Sequence, residues 1–94
     1  MHFLRDDYSS AYISTATTTQ VYTGYCNLVS ITVNTTSAGS ITVYDETGSG
    51  NTKVKAVLKA SVAEQTFFYQ MNMSTGIKII TAGASDITVT YSKV

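Results

Sequence analysis

Between Cys26 and Tyr44 the chain alternates β-branched apolar residues with small polar ones, and this period of two constrains the fold more than any other feature. Val29, Ile31 and Val33 interleave with Ser30, Thr32 and Asn34; after Thr36-Ser37-Ala38-Gly39, Ile41 and Val43 interleave with Thr42 and Tyr44. Successive side chains leave a pleated strand on opposite sides, so each run is a half-buried strand. The small residues between them read as a turn, which makes residues 26–48 one β-hairpin. Its single apolar face requires a second sheet to cover it.

The remaining sequence carries the same signal in shorter pieces. Residues 11–18 and 20–24, with Tyr12, Ile13, Val21 and Tyr22, read as two strands or one bent strand leading to the hairpin. Two glycines and Asn51 make residues 47–52 a loop. Propensity alone allows a helix in KVKAVLKASVAEQ, but Val54, Ala56, Leu58, Ala60 and Val62 alternate with more polar neighbours, and the alternation decides for a long strand. Residues 66–73 place Phe67, Tyr69, Met71 and Met73 on one face and Phe68, Gln70 and Asn72 on the other. Ile77 and Ile79 oppose Lys78 and Ile80, and Ile87, Val89 and Tyr91 close the series. Regular strands, Gly/Ser/Asn loops and no proline predict an all-β chain: an antiparallel β-sandwich, jelly-roll-like, of about eight short strands. Residues 11–94 form that single domain, and residues 1–10 form an N-terminal arm. The arm's Phe3, Leu4 and Tyr8 either fray or pack on a neighbouring molecule.

At 94 residues the core is small, and the usual staples are missing. One cysteine allows no intrachain disulfide, and Cys26 with His2 cannot make a four-ligand zinc knuckle. Oligomerisation is the remaining staple. A lone cysteine agrees with folding in a reducing cytoplasm. The formal net charge is zero, and 13% charged residues provide no basic stripe for nucleic acid. Lys53, Lys55 and Lys59 read as the solvent face of one strand. The first ten residues contain no apolar run, so they predict neither a secretory signal nor a membrane span.

Reaction chemistry is not visible. His2 stands too near the terminus for a rigidly held base, and Cys26 without a partner histidine reads as a buried small hydrophobe. The run from Asp45 resembles the start of a calcium loop, but its twelfth position is Ala56 rather than Glu. Asp45 and Asp86 therefore read as residues that hold turns through backbone amides. No phosphate-binding glycine loop occurs. The seven tyrosines suit cores and interfaces better than a ligand platform. The sequence thus predicts no catalytic residues, no cofactor and no metal.

A longer pattern is nevertheless distinctive. The run from Ser14 to Gly24, the strands Val29-Ser30-Ile31-Thr32-Val33-Asn34 and Gly39-Ser40-Ile41-Thr42-Val43-Tyr44-Asp45, then Ser74-Thr75-Gly76-Ile77 and Ala84-Ser85-Asp86-Ile87-Thr88-Val89-Thr90-Tyr91, together resemble small structural proteins of tailed bacteriophages. The resemblance spans residues 12–92 and consists of strand and turn patterns. It implies a capsid decoration, or cement, protein: a small β-sandwich, often a homotrimer, that binds the major capsid protein on the outer head surface of the virion. It transfers no active residues and implies neither a nucleic-acid nor a membrane partner. Exposed apolar positions then nominate Phe3, Leu4 and Tyr8 for docking to the shell and Phe68 and Ile80 for subunit contact. The rival expectation is a tail, neck or fibre module that binds another virion protein, or host glycans through loop tyrosines such as Tyr25 and Tyr44.

Overall fold

The computed structural model describes residues 8–35 and 39–93. Its eight strands are β1 (Tyr8–Ile13), β2 (Thr18–Thr23), β3 (Cys26–Thr35), β4 (Ile41–Tyr44), β5 (Val54–Leu58), β6 (Thr66–Met73), β7 (Gly76–Thr81) and β8 (Asp86–Lys93). They form two four-stranded sheets, ordered β1-β8-β3-β6 and β2-β7-β4-β5, and every ladder is antiparallel. The fold is an all-β sandwich.

One long hairpin, rolled up, generates this order. Tyr8 faces Ser92, Thr23 faces Gly76, Cys26 faces Met73 and Tyr44 faces Val54. The first four strands thus pair in reverse with the last four, and the β4–β5 loop is the tip of the ribbon. Rolling the ribbon adds the β3–β8 and β4–β7 ladders and separates consecutive strands into opposite layers, except β4 and β5 at the tip, which stay paired in one sheet. This is the jelly-roll wrapping anticipated from the strand spacing.

The wrapping corrects the hairpin expected at residues 26–48. β3 pairs with β6 and β8, whereas β4 lies in the other sheet between β5 and β7. Alternation specifies that each strand has an apolar face, but it does not distinguish strands lying side by side from strands stacked face to face. Here Ile31 and Val33 from β3 and Ile41 and Val43 from β4 all enter the one core between the layers.

That core also takes Ile13, Cys26, Leu28, Met73, Ile87, Val89 and Tyr91 from the first sheet and Leu58, Ile77 and Ile79 from the second. Most are completely buried, and Tyr22 stacks obliquely on Tyr91 at 5.5 Å between ring centroids. Gly76 is fixed by close approach. A Cβ there would lie 2.5 Å from the Tyr22 carbonyl oxygen, a distance no side chain tolerates.

Two strand boundaries and one register differ from the sequence reading. The strand expected across residues 11–18 stops at Ile13, and β1 starts earlier, at Tyr8, so the last three residues of the expected arm are strand. Phe3 and Leu4 lie outside the described residues. The strand expected to run to Val62 ends at Leu58, because Leu58 opposite Ile41 is the last pair available on the short β4. A turn follows, with Ser61 at φ 63°, and Val62 packs back against the core. Finally, a bulge between Val43 and Tyr44 sets Val54, not Lys55, opposite Tyr44. Val54 is thereby moved out of the core and is half exposed.

Candidate functional site

Among the described residues, side-chain hydrogen bonds concentrate at the β4–β5 tip, where the sequence reading weighed and set aside a calcium loop. Asp45 is buried and reaches across to the β6–β7 turn. Its Oδ2 accepts from the Ser74 amide at 2.9 Å and the Ser74 hydroxyl at 3.0 Å; its Oδ1 accepts from the Thr75 amide at 2.7 Å and the Gly76 amide at 3.2 Å. Burial pushes this carboxyl up, but the four donors outweigh it and hold the group below its ordinary value. The turn-holding role expected for Asp45 is therefore present, although the turn belongs to residues 29–31 positions further along the chain.

Glu46 closes the tip on itself, accepting from the amides of Thr52 and Lys53 and from the Thr52 hydroxyl. Desolvation again opposes ionisation, and these donors, with the nearby Lys78 charge, reverse the balance. Gln20 spans the neighbouring strands, its Nε2 donating to the carbonyls of Tyr22, Glu46 and Ile77. Lys78 points to the outer side of β7, as its alternation with Ile77 and Ile79 requires, yet it is 2% exposed. The tip folds over it. Its Nζ donates to the carbonyls of Gly48 and Gly50 and stands 5.4 Å from the centre of the Tyr44 ring. A tethered ammonium thus satisfies loop carbonyls and draws on the ring's negative face. Among the described residues no group of three His, Cys, Asp or Glu side chains is placed to hold a metal ion.

Cys26 is fully buried, and burial followed by the Asp45 charge pushes its thiol up. That environment suppresses the thiolate needed for nucleophilic attack. The tip and the cysteine are built into the fold, and the open chemistry lies on the two outer sheet faces.

On the first sheet the outer rows are mostly hydroxyls and amides. Register places Tyr12, Thr88, Thr32 and Thr66 in one row, Ser10, Thr90, Ser30 and Phe68 in the next, and Tyr8, Ser92, Asn27 and Asn72 in the third. Asn27 donates to Asn72 and Thr32 shares a hydrogen bond with Thr66, cross-strand pairs that tie the polar rows together. Tyr8 is 61% and Phe68 73% exposed, at opposite edges of this face.

The outer face of the second sheet is more aliphatic. Its rows run Thr18, Ile80, Thr42, Val57 and Gln20, Lys78, Tyr44, Val54. Val57 and Val54 are half exposed, and Ile80 is half-buried two strands away, across Thr42 from Val57. Phe68 and Ile80, nominated together for subunit contact, consequently lie on opposite sides of the sandwich and serve different surfaces. Of the tyrosines nominated for glycans, Tyr25 is exposed between β2 and β3, but Tyr44 ends β4 and carries Lys78 over its ring.

The sequence reading missed a polar cluster at the end of the first sheet. Asp86, expected to hold a turn, accepts from Asn34 Nδ2 at 3.1 Å and from the Tyr12 hydroxyl, and Asn34 also donates to Thr88 Oγ1 at 3.2 Å. The hydrogen bond to Asp86 is the chief cause that raises the Tyr12 phenol above its ordinary value. Tyr12, Asn34 and Asp86 are 22 or more positions apart in sequence, so no local motif announces them.

No protein-family model matches the chain, and no curated protein matches it.

Proposed function

We propose that this chain is a non-catalytic structural protein of a tailed-phage particle, a decoration or cement module that binds the outer face of the major capsid protein as an oligomer. The observation that carries the reading is the aliphatic outer face of the second sheet. Val54 and Val57 on the edge strand β5 and Ile80 on β7, with Tyr44 and Thr42 of β4 between the two strands, are presented on that one face, in a chain whose small core benefits from association. The polar rows of the first sheet suit a surface turned toward solvent. Exposed Phe68 and Tyr8 supply further apolar points at its edges. The best-held carboxylates, Asp45 and Glu46, are consumed in structural hydrogen bonds, which fits a protein that assembles rather than reacts.

On a shell that repeats one docking surface many times, several weak contacts per oligomer add through multivalency. The test is direct. The solution mass is measured by light scattering, and the protein is sedimented with tailed-phage heads stripped of their own decoration protein. A trimer that pellets with the heads is expected, and Val57→Glu is expected to abolish both while leaving thermal unfolding nearly unchanged, since Val57 is 53% exposed. A monomer that stays in the supernatant overturns the reading. Deleting residues 1–7, which leaves β1 whole, then separates an arm-mediated contact from one made by the sheet.

A further inference from the structure

At the end of the first sheet, away from the aliphatic face, the wrapping brings together an aromatic ring, a carboxylate and an amide. Tyr12 lies on the edge strand β1 and is 62% exposed although its hydroxyl is tethered to Asp86. Asn34 from β3 braces the same carboxylate at 3.1 Å and reaches Thr88 at 3.2 Å. Next to them opens a cavity of about 200 Å³ lined by Ser14, Thr35, Ala84, Ser85 and Asp86. Ser85 is itself buried, its hydroxyl donating to the Gly83 carbonyl. Asp86 is therefore shared by the tethered ring and the cavity.

These groups select a ligand class by elementary chemistry. A tyrosine face is electron-rich and takes polarised C–H groups, while its edges and neighbours must then supply hydrogen bonds. Carboxylate oxygens accept, a carboxamide both donates and accepts, and serine and threonine hydroxyls do either. A pyranose ring needs this combination: an apolar C–H face surrounded by hydroxyls. The cavity lies below the ~300 Å³ at which drug-sized sites begin, so it suits one ring rather than a long segment. Asp86 is the one formally charged side chain in the cluster, and it disfavours carboxylated or phosphorylated sugars.

We propose that Tyr12, Asp86 and Asn34, with the cavity beside them, form a binding site for a single neutral pyranose ring. Tyr12 stacks on the sugar, Asp86 accepts from two of its hydroxyls and the cavity takes the substituent that projects past the ring. The loop tyrosines Tyr25 and Tyr44 have no part in it. The site is independent of the assembly surface on the second sheet, so either can fail without the other.

The test is an amide-resolved NMR titration of the full chain with methyl glycosides of glucose, galactose, mannose and N-acetylglucosamine, with N-acetylneuraminic acid as the charged comparison. The expected result is saturable shifts at Tyr12, Asn34, Ser85, Asp86 and Thr88 with at least one neutral glycoside and none with the acid. Tyr12→Ala should weaken that binding by about tenfold or more, whereas Tyr12→Phe, which keeps the ring, should stay within about threefold. The proposal is overturned by an absence of saturable shifts with all four, by shifts that map elsewhere, by equal binding of the acid, or by unchanged affinity in a Tyr12→Ala protein whose spectrum shows it folded.

Discussion

Asp45 and Lys78 show how single residues decide whether the ribbon tip is ordered. Asp45 gathers four donors from the β6–β7 turn, and removing its charge leaves buried amides poorly paired. Asp45→Asn is expected to lower unfolding free energy by about 2 kcal/mol, read as a shift in urea midpoint without a change in slope. The sign of the pH dependence follows from the depressed carboxyls of Asp45 and Glu46. Their stabilisation is fully present above the unfolded-state values of about 4 and is lost as pH falls through the lower folded values. Urea midpoints measured on descending pH should therefore drop below about pH 4, and the drop should be shallower in Asp45→Asn. An equally steep fall in the variant would assign the acid sensitivity to other groups. Lys78→Met leaves the Gly48 and Gly50 carbonyls without their cationic donor. Faster amide exchange across residues 47–53, at a cost of about 1–2 kcal/mol, is the expected outcome.

At the level of elements, the strands differ in how far sequence could place them. β6 spans Thr66–Met73 as its alternation indicated, and its Phe67/Tyr69/Met71/Met73 face turns inward while Phe68 stays out. β7 reads almost entirely buried because Lys78, on its outer side, is covered by the β4–β5 tip. β3 is the structural centre of the first sheet, paired on both edges, with shifts in both ladders between Leu28 and Ser30. A bulge of this kind needs unusual backbone, and facing it Gln70 adopts φ 50°. Truncation of Ile31, at the middle of β3 and fully buried, should cost about 2–5 kcal/mol as Ile31→Ala in equilibrium denaturation. Phe68→Ser on the adjoining β6 should change stability by less than about 0.5 kcal/mol, since its ring is mostly in solvent.

For the whole molecule, pairing of the first strand with the last makes nearly all ladders long-range. Closing such loops before they are rewarded predicts slow folding, on the order of milliseconds to seconds, followed by refolding from denaturant. Cys26 offers a reporter of global opening. Its thiol is fully buried between β3 neighbours and its thiolate is disfavoured, so labelling by a thiol reagent should track unfolding of the sandwich and be undetectable in its absence. Rapid labelling under native conditions would show that the β2–β3 end opens separately.

The sequence by itself determined the class of the molecule. Period-two patterning in Val29–Val33, Ile41–Val43, Phe67–Met73 and Ile87–Tyr91 gave strands with one apolar side, because alternation is a property of the individual strand. It also read Cys26 as a buried hydrophobe and set Phe68 on the polar face of its strand, and Phe68 is 73% exposed. Partnership was decided by tertiary structure. Alternating strands have the same local pattern whether the next one lies beside them or across the core, so β3 and β4 looked like a hairpin while long-range pairing put them in different layers. The same wrapping converted an unremarked polar trio, Tyr12, Asn34 and Asp86, into one hydrogen-bonded cluster. Side chains from β1, β3 and β8 become neighbours through ladder register, a relation that spacing along a single chain does not encode.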